Sequence, residues 1–383
     1  MDHTIETLPW HDCRHHRTGG FQNVDEHRRP LSIWKGLTWS ARRIFHGKTH
    51  RPPSVRTPDT VALRRRPARL RITWIGHTTV LVQTPDFTLL TDPIFAHRAS
   101  PVPFAGPARL IPPALPVRDL PRIDAVLLSH DHYDHCDREA IEELSRRFEP
   151  TFFVPLGVAR RLRDWGVEPT VEMDWWQRAT FRLGEKRTEA GPLRLTCTPA
   201  RHFSGRSLFD RNSTLWASWM IEAPAGASAE QSAPSTNGNG HAPSTNGHPA
   251  DDPDETVRVY FGGDTGDGTH LEKIRERLGA PEVALLPIGA FQPRDLMAPI
   301  HIGPQEAMDA FEALEAEHFV PTHWGTFDLS EETVQAPAEL LKEIAARRGL
   351  SGRVRIPDPG EVLSFETSAH ETSSKEPAAK VTP

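Results

Sequence analysis

The sequence predicts an α/β chain folded as an αββα sandwich, two β-sheets face to face with helices on the outside. Three observations carry that prediction. Short apolar runs bounded by turn residues alternate with segments of helical periodicity. The alternation occurs twice, in blocks on either side of a low-complexity insertion. Several apolar runs end in a histidine or an aspartate, as strands do when they deliver polar groups to one edge of a sandwich. At 383 residues the length alone would allow two domains, but an α/β sandwich of this size can be one unit. Hydrophobic residues make up 37%, with 10 Trp and 17 Phe, enough for a substantial core.

Residues 1–70 are rich in Pro and Arg with little periodicity and are expected to form a basic arm. Thirteen Lys or Arg fall between Arg28 and Arg71 against a single acid, Asp59, interleaved with Trp34, Trp39 and Phe45. Such an arm either wraps the domain or meets an anionic phospholipid surface, where each basic residue adds roughly 1 kcal/mol. The main domain is expected to span 71–366. In its first block RITWIG, TVLVQT, FTLLTD and IDAVLLSH read as strands. REAIEELSRRF follows as a helix, its Ile141, Leu144 and Phe148 on one face. FFVPLG starts another strand, GVARRLRDWG is a short helix closed by Gly166, and LRLTCTPA and LWASWMIE are further strands.

Residues 223–256 break the pattern. The hexamer APSTNG occurs twice there and nothing aliphatic or aromatic is larger than Ala, so the segment is expected to be a disordered insertion. Its His241 and His248 are poor ligand candidates for the same reason. The second block then reads VRVYFGGD as strand, LEKIRERLG as helix, VALLPIGA as strand, PQEAMDAFEALEA as helix and HFVPTHWG as strand. A helix near PAELLKEIAARRG and strands RVRIP and EVLSFE complete it, and 367–383 is a polar tail expected to be disordered.

The net charge of −6 gives no sign of a nucleic-acid partner. Cys13, Cys136 and Cys197 form no paired spacing, which fits a reducing compartment. No signal-type apolar stretch opens the chain, and no apolar run approaches the ~20 residues needed to cross a bilayer. A cytoplasmic protein, free or peripheral on a membrane, is the expectation.

The chemistry concentrates in Ser129–Asp137, SHDHYDHCD, directly after a buried strand. A solvated loop has no need of three imidazoles. His130 and His132, two apart, can reach one cation, while Asp134 and His135 turn toward a second. Two metal shells need more donors, and three more stand at strand ends: His202, Asp264 and His323.

His130-x-His132-x-Asp134-His135 resembles the metal signature of the metallo-β-lactamase superfamily. WIGHTTVLVQ (74–83), LLTDPIFAHRASP (89–101), GPARLIPPAL (106–115), PARHFSGR around His202, GGDTG (262–266), LLPIGAFQPR (285–294) and HWGTF (323–327) resemble one branch. That branch is the N-acylphosphatidylethanolamine-hydrolysing phospholipase D family with its bacterial relatives. The resemblance runs in order from 72 to 330, broken by the insertion. It implies a metallo-β-lactamase-like sandwich with two zinc ions, or other divalent metals. His130, His132 and His202 would hold one, Asp134, His135 and His323 the other, and Asp264 would bridge both. It further implies that Asp92 supports a ligand histidine from behind, fixing its tautomer. His301 matches a family histidine important for activity, so it joins Asp264 as a catalytic candidate. His77 and Tyr133 are read as structural, and Cys136 as no ligand because the other donors fill both shells.

Two cations sharing a water make hydroxide available near neutral pH. The expected reaction is attack of that hydroxide on the phosphorus of N-acylphosphatidylethanolamine or a related phospholipid, releasing phosphatidic acid. A lactone or another ester on the same centre is the alternative substrate, and a non-catalytic metal-binding module at a membrane is a third reading. Seven donors argue against the third, because structural zinc sites close with four. The partner expected is therefore a phospholipid, with peripheral membrane contact, and a homodimer is left open.

Overall fold

The computed structural model describes residues 2–24, 48–183, 191–207, 209–225 and 256–366. Two seven-stranded sheets form the sandwich. The first runs β1 (Asp2–Thr7), β10 (Gln177–Arg182), β11 (Leu193–Thr198), β12 (Ser218–Pro224), β13 (Thr256–Phe261), β14 (Val283–Pro287) and β15 (His318–Thr322). The second runs β16 (Val362–Phe365), β4 (Leu70–Gly76), β5 (Thr79–Gln83), β6 (Thr88–Thr91), β7 (Ala125–Leu127), β8 (Thr151–Pro155) and β9 (Thr170–Met173). A small hairpin, β2 (His16–Arg17) and β3 (Gly20–Phe21), lies outside both.

The second sheet is covered on both faces, which explains why its strands are continuous apolar runs. Its alternate residues Ile72, Trp74, Val80, Val82, Leu89 and Leu127 pack into the core between the sheets. The intervening Leu81, Leu90, Val126 and Leu128 pack beneath the outer helices. Those helices are α2 (Arg138–Phe148) and α3 (Val158–Asp164), following a short α1 (Thr60–Arg64). Ile141 and Leu144 of α2 are fully buried, each contributing about 1.5–3 kcal/mol by leaving water. The Asp137 carboxylate caps α2 through the amides of Glu139 and Ala140, and also holds the amides of Phe95 and Ala96. Helices α4 (His270–Leu278), α5 (Arg294–Met297), α6 (Pro304–Ala313) and α7 (Ala336–Arg347) belong to the second block.

Strand direction places the site. β6 to β9 are parallel, as are β13 to β15. β4 and β6 both pair antiparallel with β5, and β11 and β13 with β12, so each pair runs the same way. The carboxyl ends of β4, β6, β7, β11, β13 and β15 therefore emerge together on their sheets.

Three expectations change. The first 24 residues are not an arm: β1 pairs with β10 from Asp2↔Arg182 to Thr7↔Gln177, and Leu8, Trp10, Phe21 and Val24 pack on the core. Residues 3–7 are all exposed, so this edge strand joins by backbone hydrogen bonds and leaves no apolar alternation to read. Leu63 of α1 is likewise buried, while Trp34, Trp39 and Phe45 lie outside the described residues. RVRIP makes only a single parallel bridge, Val354 to Phe319, because the chain enters it from the turn closing α7 and leaves through Pro357. β9 and β10 were not anticipated, although their burial alternates cleanly. Among the described residues no helix is long and apolar enough to cross a membrane.

The insertion opens later than expected, since Ala223 and Pro224 belong to β12; residues 226–255 lie outside the described residues. Pro224 pairs directly with Thr256, so the insertion leaves and re-enters at adjacent positions of one hairpin. Replacing 226–255 by a short Gly/Asn turn should keep the fold and hold turnover within about twofold. Loop closure would become easier by roughly 1–2 kcal/mol, as loop cost changes by about 0.6 kcal/mol per doubling. Thermal melts and turnover of the shortened chain check this; lost turnover would give the insertion a role in catalysis.

Candidate metal centre

The residues after β7 fold back into a tight turn, with the amides of His135 and Cys136 donating to His132 O at 3.1 and 2.9 Å. Beneath it sits Asp92 at the end of β6, fully buried. It accepts from Ser129 N at 2.7 Å, from Ser129 Oγ at 2.6 Å and from His135 Nδ1 at 2.7 Å. These bonds fix orientation: His135 spends Nδ1 on Asp92 and turns Nε2 inward. His202 does the same by giving Nδ1 to Ile300 O at 2.9 Å, and His130 by giving Nδ1 to Ser129 Oγ at 2.9 Å. Gly263 lets the Asp264 loop approach, for a Cβ there would stand 2.5 Å from that of Ser129.

The inward atoms gather into overlapping sets. His130 Nε2 and His202 Nε2 lie 2.8 and 3.3 Å from His132 Nδ1. Asp134 Oδ2 lies 3.1 Å from His77 Nε2, 3.4 Å from His135 Nε2 and 3.6 Å from His323 Nε2. Asp264 Oδ2 stands between the sets, 3.2 Å from His135 Nε2, 3.3 Å from His323 Nε2, 3.6 Å from His202 Nε2 and 3.8 Å from His301 Nδ1. All seven predicted donors thus come together, with Asp92 behind His135 and His301 beside Asp264.

Whether these residues fit cations can be read from their unpaired atoms. Asp264 Oδ1, His135 Nε2, His301 Nδ1 and His323 Nε2 are buried with no hydrogen-bond partner. Native interiors rarely leave such groups unpaired, and unpaired donors gathered around Asp264 fit a cation-binding centre. The protonation pattern agrees. Burial would lower His135 and His323, but Asp264, then Asp134, outweighs it; His135 is raised well above the usual imidazole range and His323 to about 9. Burial would raise Asp264 and Asp134, but the neighbouring histidines hold both well below the carboxylate range. Without cations, protons stand in for them between these carboxylates. Burial lowers the others: His132 to about 4, His202 and His301 to about 3, and His130 far down, leaving neutral ligand-ready imidazoles.

Two residues escaped the sequence reading. His77 was taken as structural, yet its Nε2 faces Asp134 and it belongs to the set with His135 and His323. It follows the apolar β4, the same signal that picked out His202 and His323. Asn23, from the supposed arm, clamps the backbone of His202: its Nδ2 donates to His202 O at 2.9 Å, and its Oδ1 accepts from His202 N at 3.2 Å. Nothing short of the fold would have found it. Tyr133 donates to Arg206 O at 3.1 Å, and burial pushes the Cys136 thiol up to about 12, away from thiolate ligation.

Asp92→Asn should lower kcat/KM by about 10–100-fold, the usual effect of losing a group that orients a metal ligand. Steady-state kinetics across a zinc titration check this; near-native kcat/KM without added zinc would separate Asp92 from ligand orientation.

A family model described as Beta-lactamase superfamily domain matches residues 88–229 and 244–324. An uncharacterized protein of Mycobacterium tuberculosis is 35% identical over 357 residues, covering 90% of this chain and 83% of its own. N-acyl-phosphatidylethanolamine-hydrolyzing phospholipase D 1 of Caenorhabditis elegans is 33% identical over 284 residues, 72% of this chain and 70% of its own. The solved isothiocyanate hydrolase from Delia radicum gut bacteria matches 77% of this chain and 99% of its own, with a TM-score of 0.53 at 18% identity.

Proposed function

The chain belongs to the metallo-β-lactamase superfamily of metal-dependent hydrolases, and from that premise we propose a dinuclear, zinc-loaded phosphodiesterase of the phospholipase D type. Its substrate is N-acylphosphatidylethanolamine or a related phospholipid. The observation that carries the dinuclear reading is Asp264 Oδ2 standing within 3.6 Å of His202 on one side and of His135 and His323 on the other. His130, His132 and His202 would hold one cation, Asp134, His135 and His323 would hold the second, and Asp264 would be shared. When bound, the pair supplies hydroxide near neutral pH and neutralises charge on the substrate oxygens.

The chain's own groups do the rest. Asp92, Ser129 and Ile300 O fix the ring orientations, so the ligands need no rearrangement. His301, neutral and beside Asp264, reaches a phosphoryl oxygen or the departing alkoxide with its ring N–H. Its backbone is held by Arg294, which donates to His301 O at 3.1 Å and pairs with Glu306. In the reaction a water oxygen bonds to phosphorus and the bond from phosphorus to the N-acylethanolamine oxygen breaks. That oxygen takes up a proton, and phosphatidic acid is left.

The phospholipid choice draws support from the worm relative's name and from two exposed aromatics. Phe104 and Phe209 are 81% and 96% exposed. The loop carrying Phe209 starts beside the centre, the Phe203 ring lying 4.5 Å from that of His132. Arg109, closing the loop that carries Phe104, stacks on Phe327, whose ring is 5.2 Å from His77. Exposed aromatics, in a chain whose sequence also carries a run of basic residues between Arg28 and Arg71, fit a protein working at an anionic surface.

The test is turnover of purified protein on N-acylphosphatidylethanolamine vesicles, a short-chain soluble phosphodiester and a lactone panel. Phosphodiester hydrolysis supports the reading, while lactone turnover alone would move the protein to another branch. Neutralising Arg28, Arg29, Lys35, Arg42 and Arg43 should weaken vesicle binding and leave soluble turnover intact. The difference should fade at high salt, because attraction is screened over about 8 Å at physiological ionic strength. Equal vesicle binding of both chains at low salt would remove the basic segment from the mechanism.

A further inference from the structure

A second set of donors converges where the N-terminal segment crosses the turn between β9 and β10. The Nε2 atoms of His11, His15 and His16 lie 2.9, 2.6 and 2.8 Å from the carboxylate oxygens of Asp174. The ligand atoms of His15, His16 and Asp174 all lie within 4.8 Å of one another, close enough for one cation, and His11 touches the same Asp174 oxygen as His16. No residue is shared with the cluster around Asp264.

The local fold holds these donors in place. Backbone bonds from His11 N to Leu8 O, His16 N to Cys13 O and Gln22 N to His15 O coil the segment, and β2 and β3 close it. The His15 ring stacks on Trp175 at 4.3 Å and 27°, and both His15 and Asp174 are buried. The His16 side chain is 38% exposed, which gives a hydrated ion a way in. Nearby charges are turned to other partners: Arg14 pairs with Asp12, and Arg277 lies over the rings of Trp176 and Trp10. A hydrogen-bonded hub would bring three imidazoles to one carboxylate through three separate protons. One divalent cation binds the same four groups at once, and three imidazoles with a carboxylate are a zinc-type donor set. Tetrahedral coordination at about 2.0–2.2 Å needs only a small opening of the Asp174 contacts of His15 and His16, while His11, outside their 4.8 Å set, swings inward from the Asp174 oxygen it already touches.

We propose that His11, His15, His16 and Asp174 form a structural site for a zinc-class divalent cation, separate from the catalytic cluster, which fastens the N-terminal segment to the β9–β10 turn. Four protein donors close such a site, as structural zinc sites are closed. Its consequence reaches the catalytic centre through the chain, because the fastened segment ends at Asn23, the residue that clamps His202.

The experiment compares metal content of the full-length protein with His16→Ala and Asp174→Asn after zinc-replete expression and dialysis. Elemental analysis is joined to a titration with a chromophoric chelator. Wild type should carry one equivalent more than either variant, and zinc should raise its melting temperature further than theirs. The same difference of one equivalent should persist when Asp264→Ala is added to all three chains, which separates this site from any failure of the dinuclear reading. His16 is partly exposed, so its alanine variant keeps the protein folded even where Asp174→Asn does not. Equal zinc content in wild type and His16→Ala would overturn the proposal and leave Asp174 a hydrogen-bonded hub.

Discussion

Asp264→Ala should lower turnover by about a thousandfold or more while the folded protein survives. The carboxylate lies against both halves of the cluster, so on the proposed dinuclear reading its loss disorganises two cation shells together. Metal catalysis supplies several kcal/mol of charge stabilisation, and about 4 kcal/mol corresponds to three decades in rate. The fold has less to lose. Asp264 packs against histidines rather than in the apolar core, so its removal leaves the packing of the two sheets intact. Circular dichroism, elemental analysis and kinetics on one preparation decide the matter. Near-native turnover would place the nucleophile elsewhere, and an unfolded variant would show that the bridge is structural first.

Stripping the metal should abolish activity reversibly and lower the melting temperature by on the order of 10 °C at saturating zinc, since a ligand of the native state at 1,000 times its Kd adds about 4 kcal/mol. The gap should widen with pH. Without cations, His135 and His323 keep protons between Asp134 and Asp264. Because both imidazoles are raised, that stabilisation is complete below the ordinary value of about 6.5 and declines as pH rises, the share of His323 being lost through about 9. The depressed carboxylates contribute above the ordinary carboxylate range and lose their share only in acid. Between pH 6 and 9 the metal-free protein therefore weakens, while fewer protons compete with the cation. Melting curves of loaded and stripped protein across that window check the direction; a gap that narrows would mean the protons do not occupy the cation positions.

Much of this centre was legible because strands and ligands obey one rule. A buried strand must be apolar, so a His or Asp at its carboxyl end stands out, and His202, Asp264 and His323 stood out together. The histidine cluster after β7 supplied the remainder. His77 met the same rule and was passed over because a single imidazole after a strand is ordinary on its own. β1 was illegible for a physical reason: an exposed edge strand needs only its backbone, and DHTIET carries no apolar stripe. Asn23 and the histidines around Asp174 share that difficulty. Their partners lie some 160 to 180 positions away, and nothing local marks a residue whose purpose is to meet a distant turn.

The pairing of β1 with β10 bears on how the protein is made. The first strand leaves the ribosome well before its partner at residues 177–182 exists. At about 5–20 residues per second, that is a wait of roughly 10–35 s. Meanwhile the second sheet also lacks its border, because its edge strand β16 follows its partner β4 by most of the domain. Both sheets thus spend translation with an open hydrogen-bonding edge, the feature that invites pairing between nascent chains. A bulky domain placed close ahead of β1 would sit directly beside the waiting strand. The cellular yield of this protein should accordingly depend on what is placed close ahead of β1.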